Sequence, residues 1–103
     1  MEKMTKKLIL EKISEVFDPE INISIVDLGL IYKLEFQPEK KSITLTMTLT
    51  TIGCPLFDLI ESEIRQKLKE LGFNPKNIKI KLVFDPPWSV EKMTARGKAL
   101  LGL

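Results

Sequence analysis

"SITLTMTLTTIGCPLFDLIESEIRQKLKELGF", residues 42–73, carries two apolar rhythms end to end. Ile43, Leu45, Met47 and Leu49 fall on every second position, with Thr44, Thr46, Thr48 and Thr50 between them. Successive side chains of a strand project to opposite faces, so this run predicts a strand with one apolar and one polar face. Beyond Pro55 the apolar residues are Leu56, Ile60, Ile64, Leu68 and Leu71, at steps of four, four, four and three. That spacing lines one side of a helix. Pro55 suits the first helical position, where an N–H has no intrahelical acceptor, and Gly72-Phe73 reads as a glycine C-cap with its hydrophobic contact.

Upstream, Leu30, Tyr32, Leu34 and Phe36 alternate with Lys33, Glu35 and Gln37. "PEKK" at 38–41 turns the chain, so the first two strands form an antiparallel hairpin. Downstream, Ile78, Ile80, Leu82 and Phe84 alternate with Lys79, Lys81 and Val83 as a third strand. A helix joins strands two and three, which favours a parallel, right-handed crossover and hence a mixed sheet. Residues 5–17 read as a helix through Ile9, Ile13, Val16 and Phe17, ended by Asp18-Pro19. Residues 20–30 are an irregular connection with its turn at Asp27-Leu28-Gly29. After the stiff loop Asp85-Pro86-Pro87-Trp88, Ser89 is placed as N-cap of a last helix using Val90, Met93, Leu100 and Leu101. The expected fold is an α/β two-layer sandwich, α-β-β-α-β-α, with a small mixed three-stranded sheet and helices on one face. Residues 1–103 form a single domain, for there is no repeat, low-complexity run or linker.

Composition removes several functions. Sixteen basic and 14 acidic residues give a net charge of +2, too balanced for a nucleic-acid or membrane binder. The one cysteine excludes an internal disulfide framework, and the N-terminal stretch is too broken by charge for a signal peptide. A reducing, cytoplasmic setting is expected. Lys33, Lys79 and Lys81 share a polar sheet face that lacks the stacking aromatics of RNA-binding sheets. They read as a solvated face or a protein docking surface.

Cys54 lies where the second strand hands over to the central helix. Unpaired N–H groups and the positive end of the helix dipole gather there and stabilise a thiolate. Thr50 and Thr51 bring hydroxyls to the same corner, and Gly53 permits close approach of a ligand to the backbone. Cys54 is equally readable as a small apolar residue at a tight turn. Asp27 has an Asx-turn as its plain reading, Trp88 core or lid packing, and Arg96 a solvated helix face.

Four segments, "DPEI" (18–21), "VDLGLIY" (26–32), "MTLTTIGCPL" (47–56) and "FDPPWSVEKMTARGKALLG" (84–102), together resemble the metal-sulfur cluster assembly family, with its SufT-like and PaaD-like members. The resemblance spans nearly the whole chain and implies a small α/β sandwich and a role in assembling iron–sulfur clusters or maturing the enzymes that use them. It places the family's motif cysteine on Cys54, its DLG aspartate on Asp27, and the threonine before the cysteine on Thr50 or Thr51. Two departures stand out. Ile52 occupies a position where proline is common, which bears on loop stiffness. The cysteine-bearing C-terminal extension of PaaD-like members is not among these residues, which argues against that specialised role.

The expected function is therefore an accessory factor, not an enzyme, in iron–sulfur cluster assembly or delivery to client proteins. Cys54 is its metal ligand, and Cys54, Thr51 and Asp27 form the cofactor-binding set. Iron–sulfur clusters ordinarily take four protein ligands, and one chain offers one thiolate and no imidazole. Any cluster is then transient, shared across a homodimer or with a scaffold, carrier or client protein. The alternative is a thiol peroxidase, since Thr51-Ile52-Gly53-Cys54 fits a peroxiredoxin-like T-x-x-C with Cys54 as nucleophile. Against it, Met47 stands where that motif has proline, the chain is short for a thioredoxin fold, and no His is available as a general base.

Overall fold

The computed structural model of the protein describes residues 4–19, 21–50 and 54–102, the side chains of residues 54–56 excepted. Its strands are β1 (Ile31–Gln37), β2 (Ser42–Met47) and β3 (Ile78–Leu82), and its helices α1 (Lys6–Ile13), α2 (Cys54–Glu70) and α3 (Ala95–Leu100). The sheet order is β1-β2-β3. β1 runs antiparallel to β2, with Leu34 opposite Leu45 and Phe36 opposite Ile43. β3 runs parallel to β2, with Ile43 beside Ile78 and Met47 beside Leu82. The sheet is mixed, as the α2 crossover requires. Ile9 and Ile13 of α1 and Ile60, Ile64 and Leu68 of α2 share one buried cluster with Ile43, Leu45 and Met47. Lys33, Glu35, Lys79 and Lys81 are exposed on the opposite face. This is the expected two-layer sandwich.

Local chemistry sets the ends of the elements. Thr5 caps α1, its Oγ1 accepting from Leu8 N at 3.2 Å. The helix stops at Ile13 rather than continuing to residue 17, because Val16 gives its carbonyl to Ile25 N at 3.0 Å and Phe17 bridges Ser24 in antiparallel fashion. The end of α2 is a Schellman motif: Gly72, at φ +100°, donates to Lys69 O at 2.9 Å, and Phe73 N donates to Leu68 O at 3.1 Å. Leu68 and Phe73 are both buried, completing the hydrophobic contact.

Three expectations at the other end of the sheet are corrected. A bulge separates the pairs Ile31–Met47 and Lys33–Thr46, leaving Tyr32 as the extra residue. An inserted residue breaks strict alternation, so Ile31, not Tyr32, takes the position opposite buried Met47. Thr48 does not lie on an open polar face but is fully buried, and its Oγ1 has no hydrogen-bond partner among the described residues. Ser89 does not cap the last helix. It precedes one 3-10 turn, Val90–Lys92, and makes no side-chain cap bond. Thr94 caps α3 instead, its Oγ1 accepting from Gly97 N at 3.0 Å. Thr94 N donates to Asp27 O at 3.0 Å, a contact made from an extended conformation at Met93 and Thr94. Of the four apolar residues assigned to that helix only Met93 is buried, while Val90, Leu100 and Leu101 are exposed.

Candidate functional site

Strand directions gather the chemistry at one end of the sheet. β1 begins at Ile31 opposite Met47, where β2 ends, and β3 ends at Leu82 beside the same residue. The 24–30 turn, the exit from β2, the segment after β3 and the start of α2 therefore all leave from this end. Backbone bonds tie them: Thr48 N donates to Leu30 O at 2.9 Å, and Val83 N donates to Met47 O at 2.8 Å. Carboxyl ends of parallel strands are where open α/β sheets place ligands.

The turn is shaped by its own residues. Ser24 Oγ accepts from Val26 N at 3.2 Å, and Leu28 N donates to Ser24 O at 2.9 Å. Gly29 takes φ +75°, and a Cβ there would overlap the Lys92 backbone. At Gly97 a Cβ would come within 2.6 Å of Asp27 O. Two glycines thus let residues 92–97 lie directly on the 27–29 turn.

Asp27 is the junction. Its Oδ1 accepts from Thr94 Oγ1 at 2.9 Å, and its Oδ2 lies 3.7 Å from Arg96 Nε. The Asp27 side chain is 18% exposed and that of Arg96 81%. Arg96 is therefore an open cation held beside the turn, in a pair whose exposure limits its worth to about 1 kcal/mol or less. The Asx-turn reading of Asp27 understates it, for its carboxylate anchors a cap 67 residues away.

The stiff loop docks on the same turn. Trp88 Nε1 donates to Leu28 O at 2.6 Å, and Tyr32 OH donates to Pro86 O at 2.8 Å. Lys92 Nζ stands 4.9 Å above the Tyr32 ring, a cation–π distance. Gly29, Ile31, Tyr32, Pro86 and Lys92 line an open cleft of about 490 Å³.

Cys54 is the first residue of the 17-residue α2, whose first turn holds no acidic side chain to neutralise its N-terminal N–H groups. An anion or thiolate at that point is favoured by the dipole. The Cys54 side chain, and Thr51 altogether, lie outside the described residues; within them Asp27 meets Arg96 and Thr94, and Trp88 meets the neighbouring Leu28 carbonyl. Among the described residues, no group of three or more His, Cys, Asp or Glu could hold a metal ion. Sequence reading missed Tyr32, Lys92 and Thr94. Thr94 carried a signal in "TARG", a cap residue before a short helical run, but Ser89 carried the same one.

The iron-sulfur cluster assembly protein family model matches residues 6–80. The Fe-S protein maturation auxiliary factor YitW of Bacillus subtilis is 37% identical over 103 residues, spanning 100% of this chain and 99% of that one. The Fe-S protein maturation auxiliary factor SufT of Staphylococcus aureus is 36% identical over 85% of this chain and 98% of its own. In structure, a domain of unknown function from Bacillus anthracis superposes with a TM-score of 0.86 at 34% identity, covering 95% of this chain and 92% of that one. A conserved hypothetical protein of Thermotoga maritima gives 0.79 at 31% identity, over 100% and 99%.

Proposed function

The chain belongs to the iron-sulfur cluster assembly protein family, and from that premise we propose that it is a cytoplasmic accessory factor in maturing iron–sulfur proteins. It acts by presenting the Cys54 thiolate to a cluster in passage from a scaffold or carrier to a client, not by turning over a substrate. The supporting observation is the place of Cys54 at the start of α2, at the sheet end where the Asp27 turn and residues 86–97 are locked together. The cluster is cargo. One thiolate per chain leaves most of its ligand positions to others, so it is held in a dimer with two Cys54 corners facing or in a complex with donor or recipient. Two α2 N-termini aimed at an anionic cluster favour binding, and incomplete ligation favours release. In this reading Thr51 lends a hydroxyl beside the thiolate, and Asp27 acts as a positioning residue through Thr94.

Anaerobic reconstitution with iron and sulfide tests this. Charge-transfer absorbance is expected only in a dimeric or partner-bound fraction, at no more than about one cluster per two chains. An unchanged spectrum in Cys54→Ser, or a stable cluster on a monomer, overturns it. Peroxide turnover with a thiol reductant would instead assign Cys54 to a thiol peroxidase.

A further inference from the structure

The face of the sheet turned away from the helices carries a regular array of charge. Registers place Lys33, Thr46 and Lys81 in one row across the three strands, and Glu35, Thr44 and Lys79 in the next. Both threonines are half-buried in the centre, and the charged side chains at the edges are exposed. Neighbouring strands lie about 4.8 Å apart, so the two lysines of the first row flank Thr46 with Cα atoms roughly 10 Å from each other.

On the helix layer Lys12 pairs with Glu70, Lys67 with Glu15 and Arg65 with Glu61. On the open face the one pair among the described residues is Lys33 with Glu35, at 3.8 Å between well-exposed side chains. Among the described residues, Lys79 and Lys81 have no acidic partner. Three lysines against one glutamate leave an excess of two, equal to the net charge of the whole chain. This strand-borne surface therefore carries a local excess of two positive charges around a centre that is hydroxyl rather than apolar.

We propose that this face is a docking surface for a protein partner presenting an acidic strip, whose carboxylates bridge Lys79 and Lys81 and meet the Thr44 and Thr46 hydroxyls at the centres of the two rows. Charge complementarity selects the occupant. A second copy of this chain is disfavoured there, since like surfaces would meet. A nucleic acid would find no aromatic side chain among these six positions on which to stack a base. The surface is separate from the Cys54 end, and its occupancy does not require that Cys54 hold a cluster.

The test uses an extended 12-residue peptide of alternating Glu and Thr, with an alternating Lys and Thr peptide and a single-stranded RNA of matched charge as comparisons. Backbone amide shifts locate binding, and fluorescence anisotropy gives affinity at low and high salt. The acidic peptide is expected to shift the amides of residues 33, 44, 46, 79 and 81, and raising the salt should weaken it strongly. Lys79→Glu with Lys81→Glu should lower affinity at least about tenfold, while Lys6→Glu with Lys7→Glu on α1 changes net charge equally and should leave it within about twofold. Lys79→Gln with Lys81→Gln gives an intermediate loss and serves if the reversed pair does not fold. Equal losses in the sheet and α1 variants, or shifts spread over the helix layer, would overturn the proposal. So would tighter binding of the RNA on this face, which would assign the surface to nucleic acid.

Discussion

Between the helices and the sheet, α1 and α2 meet β2 through Ile9, Ile13, Ile60, Ile64, Leu68, Ile43, Leu45 and Met47, all 1% exposed or less. Between the 27–32 turn and residues 86–97, Leu28 and Met93 reach the same buried cluster, but the ties that fix position are directional ones: Thr94 to Asp27, Trp88 to Leu28 and Tyr32 to Pro86. The first region draws on non-directional burial, which tolerates small shifts and contributes most of the stability. The second draws on directional contacts, each worth about 0.5–1.5 kcal/mol net, which fix positions more than they stabilise. A scaffold of the first kind can carry a corner of the second kind and leave it free to be tuned. That division can be broken or sharpened by substitution.

Ile64→Ala strikes the first region and should have the largest effect. Ile64 is fully buried, so truncation loses transfer free energy and leaves a cavity, about 2–5 kcal/mol in total. Denaturant unfolding should show the loss in the midpoint with an unchanged slope. Chemical shifts of Asp27, Thr94 and Trp88 should barely move while the protein remains folded. A loosened corner in a folded Ile64→Ala protein would show that the two regions are one.

Gly97→Ala strikes the second. The added Cβ would stand 2.6 Å from Asp27 O, so α3 must shift or lift from the turn, a cost of about 1–3 kcal/mol. Because α3 has six residues, the strain should be relieved locally. Amide exchange at residues 94–101 should quicken far more than at Ile43 or Leu45. Equal acceleration in both places would deny the corner its separate stability.

The same division explains what the sequence disclosed. Burial-driven parts follow from periodicity: the alternation through Ile43–Leu49, the α2 stripe and the Gly72 cap each declare themselves within a few residues. The corner depends on choices made across 54 to 67 residues. Ser89 and Thr94 look alike as caps, and only the contact of Thr94 with Asp27 selects between them. The bulge at Tyr32 is invisible because Leu30, Tyr32, Leu34 and Phe36 alternate correctly through it, and Thr48 is buried although it keeps the polar phase of its strand. Asp27 could be marked as a turn residue from its neighbours, but not as the anchor of α3. Thr51 and the Cys54 side chain were marked by sequence and stand outside the described residues, so their part rests on the family and on the position of α2.

The smallest effect expected lies on the rim of the first region, where charge rather than burial joins α1 to α2. Lys12 Nζ lies 2.9 Å from Glu70 Oε1 and 3.7 Å from Glu15 Oε1. The hydrogen bond from Lys12 is the largest influence on Glu70 and holds its carboxyl below the ordinary value. The same bond raises Lys12 above the ordinary lysine value. The signs then differ at the two ends of the pH scale. Glu70, favoured as the anion in the folded state, contributes stability above the ordinary carboxylate pKa, and that contribution fades as pH falls through its lowered folded value. Lys12, favoured as the cation, contributes below the ordinary lysine pKa and loses its contribution as pH rises through its raised folded value. Stability from this pair therefore fills the broad interval between the two and is lost at both extremes. Glu70→Gln should flatten the acid limb of the stability–pH curve, with little change in amide exchange or in the shifts of Asp27 and Thr94. Salt should shrink the difference between the two proteins, because both side chains are partly exposed. An acid limb unchanged in Glu70→Gln would mean that this pair joins α1 to α2 without stabilising them, leaving apolar burial and the Lys67–Glu15 pair to hold that contact.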